Sequence, residues 1–140
     1  MTPTLKGTTL DGKHVDIASM RGDVVVINIW GSWCAPCRKE APELRKLAEK
    51  TAPLGVRFLG IDIRDNKTAA KAFERNYGIT YPSIFDPDGR TMTGFKNLAA
   101  RAVPTTYVLD KQGRVAAVSI GPLTYQGFHP IIKDIAAEEP

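Results

Sequence analysis

Hydrophobic residues follow two rhythms along this chain. Val24-Val25-Val26-Ile27-Asn28-Ile29-Trp30 is β-branched and apolar without alternation, which predicts a central strand buried on both faces. A helix is predicted from about Cys34 to Thr51, and Pro53 and Gly55 break the chain before a second strand, Val56 to Ile63. Strand, helix and strand in this span make a βαβ unit with a parallel pair. Upstream, Thr8 to Ile17 predicts a hairpin around the turn Asp11-Gly12. Downstream, Asp65 or Asn66 can cap a second helix that runs through Tyr77 and stops at Gly78. Ser83-Ile84-Phe85 is a short strand ended by the turn Asp86-Pro87-Asp88-Gly89, and a short helix covers Met92 to Ala100. Thr105–Leu109 and Arg114–Ile120, joined by Asp110-Lys111-Gln112-Gly113, pair antiparallel. A last helix from about Thr124 buries Phe128, Ile131, Ile132 and Ile135. The pattern predicts one α/β domain over residues 1–140, with no repeat and no linker.

On a wheel of about 3.6 residues per turn, Cys37, Ala41, Leu44, Leu47 and Ala48 share one stripe of the helix that follows the central strand. Arg38, Lys39, Glu43, Arg45, Lys46, Glu49 and Lys50 fall outside it. Glu40 does not. It projects within the apolar stripe, between Leu44 and Leu47 and one turn from Cys37. Burial disfavours a carboxylate's charge and raises its pKa, which suits the group to exchange a proton with Cys37. The plainer reading, in which Glu40 bends to the surface or caps the helix, stands beside it at this point.

The chain has only two cysteines, Cys34 and Cys37, three apart. A stapled scaffold would need more pairs closing longer loops, and a structural zinc site needs four ligands. His14 and His129 lie far from the pair and show no paired ligand spacing, so no metal or other cofactor is expected. Redox chemistry is the main reading left. Two intervening residues at a helix start let the sulfurs close a small ring, with Cys34 at the entry and Cys37 in the first turn. The unpaired N–H groups there favour a Cys34 thiolate as the attacking sulfur. Cys37 is then placed to resolve the mixed disulfide. Pro36 needs no N–H in the early helix and stiffens the ring, while Trp33 would shield the pair with an apolar rim.

A net charge of +4 raises the question of nucleic acid, but Lys and Arg are scattered among acids rather than gathered on one run. A solvated surface is the plainer account, and no nucleic-acid partner is expected. No stretch approaches the roughly 20 apolar residues of a membrane span, and the start of the chain lacks the pattern of a signal peptide.

Two segments carry a resemblance: Val25 through Trp33-Cys34-Ala35-Pro36-Cys37-Arg38-Lys39-Glu40-Ala41-Pro42, and Val103-Pro104-Thr105-Thr106-Tyr107-Val108-Leu109-Asp110. The chain resembles the thioredoxin superfamily and, within it, the TlpA/ResA/DsbE-like group of extracytoplasmic oxidoreductases. The resemblance implies a thioredoxin fold: a central mixed sheet flanked by helices, with an N-terminal hairpin and a helix–strand insertion between Ile63 and Val103. It places a functional acid at Glu40. It also makes Pro104 a cis-proline beside the disulfide, so that Trp33, Pro36, Val103 and Pro104 bind substrate. The plainer reading of Pro104 is a trans residue starting an edge strand. The buried acid that ordinary thioredoxins carry in the strand before the motif is Asn28 here, so proton relay would pass to Glu40. Pro42 fits the family's kink in the active-site helix.

The function implied is reduction of disulfides in exported proteins, apocytochrome c among them, through a Cys34/Cys37 dithiol–disulfide cycle coupled to an upstream electron donor or acceptor protein. The same chemistry run as an oxidant is the runner-up, and reduction potential separates the two. A peroxidase would need a different sequence before its cysteine than Gly31-Ser32-Trp33. A redox-inactive binding or chaperone-like module is the alternative outside enzymes. The resemblance further implies a monomer outside the cytoplasm, membrane-anchored or secreted, whose leader is absent from this chain; a cytoplasmic protein is the alternative.

Overall fold

The computed structural model describes residues 2–98 and 102–140. A small sheet of β1 (Lys6–Thr8) and β2 (His14–Asp16) precedes a five-stranded mixed sheet. The latter comprises β3 (Val25–Trp30), β4 (Arg57–Ile63), β5 (Ser83–Asp86), β6 (Thr105–Leu109) and β7 (Val115–Ile120). Its order is β5-β4-β3-β6-β7, with β3, β4 and β5 parallel and β6 and β7 antiparallel. The long helices are α1 (Ala35–Thr51), α2 (Lys67–Tyr77) and α3 (Tyr125–Ala136).

Strand β3 is central and all six of its residues are buried, as a run without alternation requires. Ile27 and Ile29 face one layer with Leu59, Ile61, Tyr107 and Phe95. Val26 faces the other, where Leu44 and Leu47 of α1 meet Phe128, Ile132 and Ile135 of α3. At the end of β3, Trp30 joins Cys34, Cys37 and Ala41 of α1 and Ala70 and Phe73 of α2 in a third cluster. The insertion expected after Ile63 is present as α2 and β5, which extends the sheet beyond β4.

Several boundaries differ from the sequence reading for local reasons. The hairpin strands stop at Thr8 and resume at His14 because Thr9 closes its own turn, donating its N–H to the Lys13 carbonyl and accepting the Lys13 N–H on Oγ1. Leu10, freed from the ladder, is buried in the cluster around Trp30. Asn66, not Asp65, caps α2, accepting the Ala69 N–H at 2.9 Å. Gly78 ends that helix at φ 66°. The helix expected over Met92–Ala100 is a run of 3-10 turns, Arg90–Leu98, and Ala99 and Ala100 lie outside the described residues. It starts early because the Asp86 carboxylate accepts the N–H groups of Arg90 and Thr91.

One core residue is corrected. Ile131 is 39% exposed, whereas Ile132 is fully buried. At about 100° per residue, Phe128, Ile132 and Ile135 cluster within about 60°, and Ile131 sits at the rim of that arc. Ile132→Ala is therefore expected to lower unfolding free energy by roughly 2–5 kcal/mol. Ile131→Ala is expected to change it by less than about 1 kcal/mol. Urea titration of the two variants checks the contrast.

Candidate active site

Strand β3 delivers the chain to the site through the turn Gly31-Ser32-Trp33, closed by the Cys34 N–H donating to the Gly31 carbonyl at 3.2 Å. Trp33 folds back so closely that a Cβ at Gly31 would overlap its indole. Its Nε1–H donates to the Ile63 carbonyl at 3.0 Å, and the Arg64 guanidinium lies 4.7 Å from its ring centroid. The ring is 45% exposed beside the site.

Cys34 is the N-cap of α1 and is bonded to Cys37, with Cα atoms 5.2 Å apart. Both cysteines are buried. The Cys37 N–H points at the Cys34 sulfur at 3.2 Å, the orphan donor expected at a helix start. In the reduced protein that donor favours a thiolate at Cys34. From the other side the Val103 carbonyl oxygen lies 3.6 Å from the same sulfur and can accept a thiol proton. The two contacts favour opposite protonation states of one atom. The Val103–Pro104 peptide is cis. Pro36 is exposed in the first turn of α1.

Glu40 is 1% exposed, on the buried face of α1 with Cys37, Ala41, Leu44 and Leu47. It neither bends to the surface nor caps the helix. Oε1 accepts the Asn28 Nδ2–H at 2.8 Å, and Oε2 accepts the Leu123 N–H at 3.1 Å. Burial pushes its pKa up to about 7, and the donors from Asn28 and Leu123 pull against that rise. Asn28 also donates to Thr106 Oγ1 at 3.0 Å, so β3 and the segment before α3 meet the Glu40 carboxyl of α1, and β6 joins them through Asn28. Behind Cys37 is a small cavity lined by Asn28, Trp30, Ala41, Leu44, Phe73 and Tyr81.

The structure thus brings Trp33, Cys34, Pro36, Cys37, Val103 and Pro104 to one end of the sheet, with Glu40 beneath. Sequence reasoning missed Thr106 and the Leu123 N–H as partners of this network. Thr106 sits in the segment that carried the resemblance, but nothing in its spacing signalled a contact with Asn28. The Leu123 group is a backbone atom and leaves no trace in a sequence.

A five-stranded mixed sheet of this order, bearing a Cys-x-x-Cys pair at a helix start, defines a thiol–disulfide oxidoreductase of thioredoxin-like fold. The chain belongs to the AhpC/TSA family, whose model matches residues 1–118. Among curated relatives, it is 32% identical over 133 residues to the thiol-disulfide oxidoreductase ResA of Bacillus thuringiensis strain Al Hakam. That alignment covers 95% of this chain and 75% of the relative. A DsbF homologue from Corynebacterium diphtheriae superposes with a TM-score of 0.88 at 39% identity, covering 95% of this chain and 85% of that one. A secreted thiol-disulfide isomerase from Corynebacterium glutamicum superposes with a TM-score of 0.91 at 35% identity, covering 99% and 86%. Protein thiols and disulfides are accordingly the substrates.

The Glu40 environment has a consequence for stability. In the unfolded chain the group ionises near 4.5, and in the folded chain near 7. Between those values the folded state holds the extra proton. Its stabilising contribution is complete below about pH 4.5 and is lost as pH rises through 7. The limiting slope is about 1.4 kcal/mol per pH unit. Oxidised wild-type protein should lose stability more steeply than Glu40→Gln across this window, as measured by urea unfolding at successive pH values.

Proposed function

We propose that the chain reduces disulfides in proteins outside the cytoplasm, with Cys34 as attacking sulfur, Cys37 as resolving sulfur and Glu40 as the proton partner of Cys37. The observation that carries this reading is the carboxyl of Glu40, buried on the same helix face as Cys37, where desolvation pushes its pKa up to about 7. A Cys34 thiolate attacks a substrate disulfide, forming a mixed disulfide and releasing one substrate thiolate. Cys37 passes its proton to Glu40 and attacks the Cys34 sulfur, which closes the internal disulfide and frees the second substrate sulfur. Two electrons have then moved to the substrate, and a donor dithiol protein returns two to Cys34 and Cys37. Trp33, Pro36, Val103 and Pro104 are assigned to meeting the substrate chain: Trp33 and Pro36 are exposed beside Cys34 in the chain, and the Val103 carbonyl, in the peptide bond to the buried Pro104, lies 3.6 Å from its sulfur.

The extracytoplasmic setting is supported by the secreted relative from Corynebacterium glutamicum. Apocytochrome c is the substrate suggested by the resemblance to the TlpA/ResA/DsbE-like group. The chain acts as a monomer in this scheme, since one copy carries the whole set of groups.

The direction of flow is tested by the reduction potential of the cysteine pair in glutathione or dithiothreitol buffers. A value near the thioredoxin end, about −270 mV, is expected; a value near about −120 mV would make the protein an oxidant. Cys37→Ser should accumulate mixed disulfides through Cys34 that reductant releases, and their absence would remove Cys34 from the attacking role. Glu40→Gln should slow exchange about tenfold or more at neutral pH and shift its pH profile. An unchanged thiol titration and turnover in that variant would leave Glu40 without a part in proton transfer.

A further inference from the structure

A second buried acid lies at the same end of the sheet and has no part in the scheme above. Asp62 of β4 stands opposite Trp30 of β3 and Phe85 of β5 and is fully buried. Among the described residues no donor reaches either of its carboxyl oxygens. Its polar neighbour is another carboxyl, that of Asp65, within hydrogen-bonding reach. A contact between two carboxyls is a hydrogen bond only if one carries a proton. Asp65 already has its acceptor sites engaged. Oδ2 takes the Ser32 N–H at 2.8 Å, and Oδ1 takes the Ser32 hydroxyl at 2.6 Å and the Asn66 N–H at 2.9 Å. The proton therefore belongs on Asp62, which donates, and the charge on Asp65, which accepts.

The geometry points to Asp62 as a positioning residue, a protonated acid that holds Asp65 in the orientation that grips Ser32 and so fixes the active-site turn in front of Cys34. The surrounding contacts fit this role. Ser32 is held at three atoms, the third being its carbonyl, which accepts from Arg38 Nη2 at 3.2 Å. The four residues 62–65 all serve the same turn: Asp62 through Asp65, Ile63 through the Trp33 indole, Arg64 over the Trp33 ring and Asp65 directly. Removing the proton from Asp62 would put two carboxylates in contact and take the donor from Asp65.

Burial, the contact with Asp65 and the charges of Asp65 and Glu74 together raise Asp62 to about 9. Burial also raises Asp65, but its hydrogen bonds to Asp62, Ser32 and Asn66 outweigh that and hold it below the usual carboxylate range. Among the described residues, the charged groups around the pair are few. Glu74 faces it from α2 and is itself raised to about 7 by burial and by Asp11, against the pull of Lys71. Lys67 lies over the ring of Phe85. Cys34 and Cys37 share the cluster of Trp30 but do not titrate while joined.

The test uses the oxidised protein, uniformly labelled, so that no thiol ionises. The carboxyl 13C resonance of Asp62 is expected to titrate with a midpoint near pH 9, and the Ser32 amide to move with the same midpoint. Asp62→Asn keeps a donor toward Asp65, so the Ser32 amide should lose that titration; Glu74→Gln should keep it. Titration of Asp62 in the ordinary carboxylate range, or a Ser32 amide that ignores it, would overturn the inference. Should Asp62→Asn fail to fold, the two wild-type titrations still decide. The inference rests on the reading of Cys34 as attacking sulfur only for its consequence. No turnover enters the experiment, so its failure and the failure of that reading are distinct results.

Discussion

Strand β3 is covered on both faces, so the polar side chain it carries must find its partners inside the protein. That constraint organises the site. Asn28, in the middle of the strand, is buried, and its amide donates to Glu40 and Thr106. Glu40 in turn is held by Asn28 and the Leu123 N–H. The result is a polar thread from β6 through β3 to α1, drawn under Cys37. Without it the carboxyl would face an apolar layer of Ala41, Leu44 and Leu47 with nothing to accept.

The electrostatics of the cysteine pair follow from where the chain ends its strands. A parallel β3–β4 pair sends both chains out at the same edge, so the turn to α1 and the turn to α2 lie side by side. The first presents the N–H groups of a helix start to Cys34, and the cis Val103–Pro104 peptide brings a carbonyl from the opposite direction. Attraction for a thiolate and attraction for a thiol thus meet at one sulfur. The second turn supplies the contacts that hold Ser32 and Trp33 in place. Two acids with raised pKa, Glu40 and Asp62, sit beneath these two turns, each disfavoured as an ion by the burial that makes the sheet edge stable.

Much of this was legible in the sequence. The apolar run of β3, the stripe on α1 and the turn residues fixed element types and order, because strand and helix periodicities are local properties of the chain. The cysteine spacing carried the chemistry for the same reason, and the helical period placed Glu40 on the apolar stripe of α1. What failed did so at contacts. Ile131 reads as core by helical spacing but sits on the rim of its helix's buried face. Asp65 reads as well as Asn66 as a helix cap, yet is engaged by Ser32, 33 residues upstream. The hairpin's Asp11-Gly12 turn lengthened because Thr9 used its own hydroxyl.

The sequence by itself therefore determined the order of strands and helices, the reactive pair at the head of α1 and the place of Glu40 on the apolar stripe of that helix, while leaving open whether its carboxyl turned inward. These depend on residues a few positions apart, where periodicity and helix-start geometry leave little choice. Only the tertiary structure decided what those groups touch beyond their own helix: Glu40 between Asn28 and Leu123, and Cys34 against the Val103 carbonyl. Partners brought together across 12, 69 or 83 residues are joined by the packing of the sheet, and neighbouring residues do not encode such distances.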